Sequence, residues 1–149
     1  MDAAGQVGRA AHGPGAGDVA AVLGMRVWAV VGCSPDPSRD SHGVARFLLA
    51  HGYDVIPVHP SGGERFGREC FRSLGDIPQD RGVEVVDVFR RSDQAGQHVD
   101  EAIALGARAV WLQLGVVAEA AAARARAAGL RVVMDRCPKI ELPRLPRTG

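Results

Sequence analysis

The stretch VWAVVGCSPDPSRDSHGVARFLLAHGYDVIPVHP, Val27–Pro60, decides the fold. An apolar run leads into a loop rich in Gly, Ser and Pro. A segment with apolar residues at helical spacing follows, and then a second apolar run. This order predicts a strand, a turn beginning at Gly32, a helix and a second strand. The long loop between Gly32 and Gly43 would lie where the first strand ends.

The same order recurs along the chain. Helical stretches stop at Gly52, Gly106 and Gly129, and an apolar strand begins shortly after each. Glycine after a helix adopts the left-handed conformation that turns the chain back. Strands that are apolar almost throughout are covered on both faces, which is typical of parallel sheets. We therefore predict an α/β fold, a Rossmann-like three-layer sandwich with a five-stranded parallel sheet.

The predicted strands are 26–32, 54–58, 83–88, 108–113 and 131–135. The predicted helices are 42–51, 93–105 and 117–128, with a short one from Asp18 to Gly24. Trp28 and Trp111 fall inside strands and are expected in the core. The crossover after the second strand has no clean helix, although SLGDIP, 73–78, is compatible with a single turn.

Composition limits the class of protein. The chain has 149 residues and a net charge of +1, so charge alone does not favour nucleic acid or an anionic membrane as a partner. Lys139 is its only lysine. Three cysteines at wide spacing suggest no disulfide framework, and we expect a cytoplasmic protein. Residues 1–17, without an apolar run, are expected to be a disordered leader, and residues 143–149 a tail.

In a sheet of this kind a ligand lies outside the carboxyl ends of the strands, where the strand order reverses. Attention therefore falls on the residues just after each predicted strand. They are 32–43, 59–61, 89–91, 113–115 and 136–139.

The first of these loops, GCSPDPSRDSHG, suggests phosphate binding. Ser41 is a candidate N-cap of the following helix, whose start offers unpaired N–H groups to an anion. Arg39 could add a full positive charge. Because Ser34 stands at the second glycine position, the loop is not a G-x-G-x-x-G dinucleotide motif, and no Gly-Lys-Ser/Thr of a Walker loop occurs. The alternative is an ordinary strand-to-helix loop.

The end of the second strand is informative about the sugar. NAD-binding folds place an acid there to hold the ribose hydroxyls. Here the chain reads VIPVHPSGG, and no acid occurs before Glu64. The missing carboxylate fits a phosphorylated ribose, as in NADP or coenzyme A. Alternatively, the loop holds no ribose at all.

Taken together, these residues resemble a known family. The stretches from AVVGCSPDPSRDSHG to DVIPVHP, FGRECFRSLGDIP, VDVFRRSD, AVWLQLGVV and DRCPKIE are similar to the small stand-alone CoA-binding proteins of bacteria and archaea. They also resemble the CoA-binding domain of the succinyl-CoA synthetase alpha subunit. The similarity covers about 27–141, and the expected CoA-binding Rossmann-like domain is 18–142.

The resemblance implies which residues contact coenzyme A. The diphosphate would lie on the turn and the helix start, with His59 and Pro60 bordering the adenosine. Phe89 would pack on adenine and Arg90 would meet a phosphate. The fourth strand end would face either the adenine–ribose part or the pantetheine. The candidate site residues are Gly32, Cys33, Ser34, Arg39, Ser41, His42, Gly43, His59, Pro60, Phe89, Arg90, Gln113, Leu114 and Gly115.

Two residues depart from the family pattern. His59 stands where Asn is commoner, which changes the hydrogen bonding available at that wall. Pro138 follows Cys137 where an aliphatic residue is usual, which removes one backbone donor.

Other functions of the site are to be weighed against CoA binding. No C-x-x-C or H-x-x-x-H spacing supports a metal site, and Ser34 is not in a G-x-S-x-G motif. We therefore expect a non-enzymatic or regulatory CoA-binding protein. The alternatives are an NAD(P)-binding module and a partner subunit of an acyl-CoA ligase. The alanine-rich last helix is compatible with packing against a homo-oligomer partner. Cys33 is either a buried small hydrophobe or a thiol able to form a mixed disulfide with CoA.

Overall fold

A computed structural model of the protein describes residues 16–146. Its strands are β1 Val27–Val31, β2 Asp54–Val58, β3 Glu64–Arg65, β4 Arg68–Glu69, β5 Val85–Val88, β6 Ala109–Gln113 and β7 Arg131–Arg136. Its helices are α1 Ala16–Leu23, α2 Asp40–Ala50, α3 Ser92–Leu105, α4 Glu119–Ala127 and α5 Pro138–Glu141. The predicted leader lies outside the described residues, apart from Ala16 and Gly17, with which α1 begins.

Five of the strands form one parallel sheet in the order β2-β1-β5-β6-β7. The prediction of a five-stranded parallel sheet is thus confirmed. From β1 the chain moves outward to β2 and then returns to the opposite side of β1 as β5. The order therefore reverses between β1 and β5, which places the ligand crevice of such folds outside the carboxyl ends of these two strands.

Both faces of the sheet are covered, because side chains point alternately to either side of each strand. Ala29 and Val86 face α3 and α4 together with Val110. Val30 and Val85 face α1 and α2 on the other side. These two apolar layers make the three-layer sandwich, and they explain why the strands read as continuous apolar runs.

The two tryptophans lie in the second of these layers. Both are fully buried, and their ring centroids are 5.5 Å apart. Trp28 Nε1 donates to the Met25 carbonyl and Trp111 Nε1 to the Arg136 carbonyl, each at 2.8 Å. The prediction that Trp28 and Trp111 belong to the core is confirmed, with both indole N–H groups paired.

The crossover from β2 to β5 contains no α-helix. The expected single turn is present as a 3-10 turn at Leu74–Asp76, and a second follows at Gln79–Arg81. The antiparallel hairpin of β3 and β4 was not predicted, since strands of two residues carry no detectable period. Its Arg65 side chain is buried against the loop after β1.

No helix within 16–146 is both long and apolar enough to cross a membrane.

Candidate functional site

A cleft opens at the carboxyl ends of the strands, and it has two adjoining lobes. The larger lobe has a volume of about 690 Å³ and the smaller about 370 Å³. Arg39, Asp40, Phe89 and Arg90 line both, so the lobes form one continuous space. The cleft lies outside β1 and β5, at the reversal of strand order.

Gly32 allows the two central strand ends to approach closely. Its φ is +87°, and a Cβ built there would lie 2.8 Å from the carbonyl oxygen of Phe89. The position therefore requires glycine for both conformation and space. This glycine brings the loop after β1 beside the loop after β5.

The turn after β1 has already used its backbone donors. The N–H groups of Gly32 and Cys33 both donate to the Val58 carbonyl, at 2.8 and 3.1 Å. Ser34 N–H donates to Ser41 Oγ at 3.0 Å. A diphosphate lying on this turn, as expected from the sequence, would therefore take its hydrogen bonds from other donors, because these three amides bind protein oxygens.

Ser41 is not the N-cap of α2, contrary to the prediction. The helix begins at Asp40, Arg39 occupies the capping position, and no side chain caps the helix. Ser41 is buried one residue inside, where its hydroxyl turns back to the loop and accepts from Ser34. The first backbone bond of this end runs from Gly43 N–H to the Arg39 carbonyl. The N–H groups of residues 40–42 thus have no acceptor within the described chain and remain available to an anion.

Positive charge collects around this helix start. Arg39, Arg46, Arg90 and Lys139 all line the cleft, and Asp40 is the one acid among its lining residues. Within the described part of the chain, none of these four cations forms an ion pair with a carboxylate. Most other arginines of 16–146 form an ion pair with a carboxylate. The pairs are Arg68 and Arg81 with Asp54, Arg91 with Asp93, Arg108 with Glu84, Arg124 with Asp100, Arg131 with Asp18, and Arg136 and Arg144 with Glu141.

Lys139 was not among the predicted site residues, although it lies in the loop range after the last strand. α5 carries it to α2, where its Nζ lies 3.9 Å from a Cβ built at Gly43. The signal that could have identified it is its position as the only lysine, within the family-like stretch DRCPKIE.

The larger lobe is lined by the four cations and also by apolar side chains, among them Val44, Val116 and Cys137. Gln113 is buried there, and its Oε1 has no hydrogen-bond partner among the described residues. Leu114 is 58% exposed at the lobe. This lobe can take a largely apolar arm that also offers a hydrogen-bond donor to Gln113.

The smaller lobe is polar and is walled by His59. Burial, together with the nearby charges of Arg65 and Arg90, lowers the pKa of His59 below its ordinary value. The ring is therefore neutral at physiological pH.

Cys33 lies beneath the first loop and is fully buried. Burial is the main cause that raises the pKa of its thiol to about 12. A mixed disulfide needs an accessible thiolate. The structure therefore favours the interpretation of Cys33 as a buried small hydrophobe.

The structure brings most of the predicted site residues together. Those that line the cleft are Gly32, Ser34, Arg39, Ser41, Gly43, His59, Phe89, Arg90, Gln113 and Leu114. The other four do not line it. Cys33 is underneath, and Pro60 is exposed beside it, with its carbonyl bound by Arg72. The ring of His42 packs on Phe66 at 4.6 Å between centroids. Gly115 N–H donates to Asp135 Oδ1 at 2.7 Å.

Over the described residues, no group of three or more His, Cys, Asp or Glu side chains is placed to hold a metal ion.

Comparison with known proteins agrees with the fold and the motifs. Residues 26–143 match the family model of the CoA binding domain. An uncharacterized protein of Bacillus subtilis, YneT, is 38% identical over 112 residues, which cover 75% of this chain and 82% of YneT. A hypothetical protein from Pyrococcus horikoshii has a similar structure, with a TM-score of 0.83 and 39% identity over 94% of this chain and 98% of its own.

A larger protein contains a similar region. The dinucleotide-forming acetyl-coenzyme A synthetase 1 of Ca. Korarchaeum cryptofilum aligns with 76% of this chain at a TM-score of 0.66 and 25% identity. The alignment covers 27% of that enzyme. With the family match over most of the chain, these similarities confirm the resemblance noted from the sequence: the protein belongs to the CoA-binding domain family.

Proposed function

We propose that the protein binds coenzyme A or a short acyl-CoA in the cleft outside β1 and β5, and that it acts as a binding or regulatory protein without catalysing a reaction. The observation that carries the proposal is the cluster of four cations without carboxylate partners in the described chain, beside the free N–H groups at the start of α2. A ligand with several phosphates satisfies both features at once.

The two lobes differ as the two ends of coenzyme A do. The diphosphate would meet the N–H groups of residues 40–42, with Arg39 and Arg90 on either side. The smaller, polar lobe suits the phosphorylated ribose. The larger lobe suits the pantetheine arm, since it combines apolar side chains with the unpaired acceptor of Gln113.

A binding role agrees with the state of the hydroxyls in the cleft. Ser34 Oγ accepts from Asp36 N–H and Ser41 Oγ accepts from Ser34 N–H. Among residues 16–146, neither hydroxyl is hydrogen-bonded to a histidine that could activate it as a nucleophile. The side chains of the cleft would therefore contact the ligand without forming a covalent bond to it.

Thermal unfolding with added ligands tests the proposal. CoA, acetyl-CoA, ADP, NAD and NADP would each be added at the same concentrations. A ligand at a hundred times its Kd stabilises the native state by about 2.7 kcal/mol. We expect the largest rise in melting temperature with CoA or acetyl-CoA. A larger rise with NADP, or no rise with any of them, would contradict the proposal.

A matched pair of variants ties the binding to the cleft. The double variant Arg39→Gln/Arg90→Gln removes two cleft cations, and Arg126→Gln removes one exposed arginine from α4. We expect CoA affinity to fall by at least about tenfold in the first and to stay unchanged in the second, because only the first loses charge-assisted bonds to phosphate.

The absence of catalysis needs its own measurement. Acetyl-CoA incubated with the protein, with and without ADP and phosphate, would be followed by chromatography. We expect no conversion. Release of free CoA would overturn the non-enzymatic part of the proposal. It would favour the acyl-CoA ligase alternative, to which the similarity with the acetyl-coenzyme A synthetase region points.

A further inference from the structure

The ring of His59 is held in one orientation at the wall of the smaller lobe. Its Nδ1 lies 3.0 Å from the backbone N of Ser61 and 2.8 Å from Ser61 Oγ. A backbone N–H can only donate, so Nδ1 must be the acceptor. The single proton of the neutral ring is therefore on Nε2.

The hairpin of β3 and β4 fixes Ser61 in turn. Arg65 Nη2 donates to Ser61 Oγ at 2.9 Å, which directs the hydroxyl hydrogen toward Nδ1 of His59. Arg65 is only 5% exposed, and its Nε and Nη1 donate to the carbonyls of Cys33, Gly62 and Glu64 at 2.9 Å. The hydrogen bonds thus run in one direction, from the guanidinium to the hydroxyl to Nδ1.

The backbone holds this arrangement on both sides of the ring. His59 N–H donates to the Phe71 carbonyl at 2.8 Å, and Gly62 N–H donates to the His59 carbonyl at 3.0 Å. Within the described residues Nε2 has no protein partner. His59 lines the lobe together with Arg39 and Arg90. A neutral donor therefore stands in a positively charged pocket, where the matching ligand atom is an anionic oxygen.

We infer that His59 is a specificity-determining residue of the site, that its Nε2–H donates to a phosphoryl oxygen of the ligand, and that Ser61 and Arg65 are positioning residues that select this tautomer. The inference rests on the proposed function, because it concerns how the same cleft recognises coenzyme A. Coenzyme A carries two kinds of phosphoryl group that fit, the diphosphate and the phosphate on the ribose.

The variant His59→Asn removes the Nε2–H donor while it keeps the turn that follows. The Asn side-chain oxygen can accept from the N–H two residues later, as Nδ1 does now, so the turn at 59–62 is retained. The shorter side chain withdraws the donor from the lobe. His51→Asn is the matched control, because His51 is an exposed histidine at the end of α2.

Binding of CoA and dephospho-CoA to the variants gives the decisive result. We expect His59→Asn to weaken CoA binding by about tenfold, as expected for loss of a hydrogen bond to a charged group, and His51→Asn to leave it unchanged. If only CoA is affected, the partner is the ribose phosphate. If dephospho-CoA is affected equally, the partner is the diphosphate. Unchanged affinity for both ligands would overturn the inference, whereas no CoA binding by the unaltered protein would overturn the proposed function instead.

The tautomer has a direct spectroscopic readout that does not depend on a ligand. Long-range proton–nitrogen NMR spectra distinguish a protonated from an unprotonated Nδ1, and the His59 signals are identified by their loss in His59→Asn. We expect unprotonated Nδ1 in the neutral ring, and a smaller excess of this tautomer in Ser61→Gly, where the backbone N–H remains as the one donor to Nδ1. Protonated Nδ1 in the unaltered protein would overturn the inference.

Discussion

The hydroxyl of Ser41, on the first turn of α2, accepts a hydrogen bond from the backbone N–H of Ser34 at 3.0 Å. This bond spans the loop GCSPDPSRDSHG and ties the end of β1 to the start of the helix. The N–H groups of residues 40–42, at the start of the same helix, have no acceptor among the described residues. The shape of the proposed diphosphate site therefore depends on one buried hydroxyl.

Replacement of that hydroxyl should loosen the loop. In Ser41→Ala the N–H of Ser34 loses its partner, and we expect the free energy of unfolding to fall by about 1–3 kcal/mol. Urea denaturation measures this change. Ser38→Ala is the control, because the Ser38 hydroxyl contacts Asp36 on the exposed part of the same loop, and its loss should cost less than about 0.5 kcal/mol. Equal effects of the two variants would show that the Ser41 hydroxyl does not hold the loop through Ser34.

Gly32 should tolerate alanine less well than a glycine of similar conformation. Gly106 has φ +85° against +87° for Gly32, but a Cβ at Gly106 would meet nothing within 4 Å. Gly106→Ala therefore measures the backbone cost alone, about 1–2 kcal/mol. We expect Gly32→Ala to lose a further 1–3 kcal/mol or so, because its Cβ meets the Phe89 carbonyl. Equal destabilisation would show that the approach of β1 to β5 has more room than the structure indicates.

Asp87 should make the stability of the protein depend on pH. It lies fully buried in β5, and neither carboxyl oxygen has a hydrogen-bond partner among the described residues. Burial raises the pKa of this carboxyl well above its ordinary value. The folded state thus retains a proton that the unfolded state releases above about pH 4. The contribution of Asp87 to stability should therefore be greatest below that pH and decrease as the pH rises toward the raised folded pKa.

The variant Asp87→Asn removes this dependence. Compared with the unaltered protein, it should gain stability as the pH rises from 4.5 to 7.5, at up to about 1.4 kcal/mol per pH unit. Chemical denaturation at each pH gives the difference. Asp80→Asn, at an exposed position, should show no such slope. A constant difference between Asp87→Asn and the unaltered protein would mean that Asp87 is ionised in the fold.

Cys33 should be unreactive in the native protein. Its buried thiol, with a pKa raised to about 12, carries almost no thiolate at neutral pH. We expect iodoacetamide to label Cys33 only after unfolding, and CoA disulfide to leave its peptide unmodified in mass spectra. Cys137, which lines the cleft, provides the comparison. Modification of native Cys33 at the rate of an accessible thiol would restore the mixed-disulfide hypothesis.

Much of the site could be located, but not detailed, from the sequence. Every predicted main-sheet strand is present, because apolar runs between glycine stops report burial on both faces of a sheet. Parallel strands direct their carboxyl ends to the same edge, and the residues after them therefore meet at one cleft. This reasoning located Arg39, Phe89 and Arg90, which line both lobes.

The sequence by itself thus determined the fold class, the edge of the sheet that carries the cleft and the family, since these follow from local periodicity and from the order of short motifs. Only the tertiary structure decided which polar groups are free. In the folded chain the amides of Gly32 and Cys33 donate to a carbonyl of β2. Arg65 is buried under the first loop, and Lys139 lies beside α2. The physical reason is that a hydrogen-bond donor takes the acceptor that lies nearest in space. The acceptors of Gly32, Cys33 and Arg65 include carbonyls from distant parts of the chain, whereas Lys139 lines the open cleft.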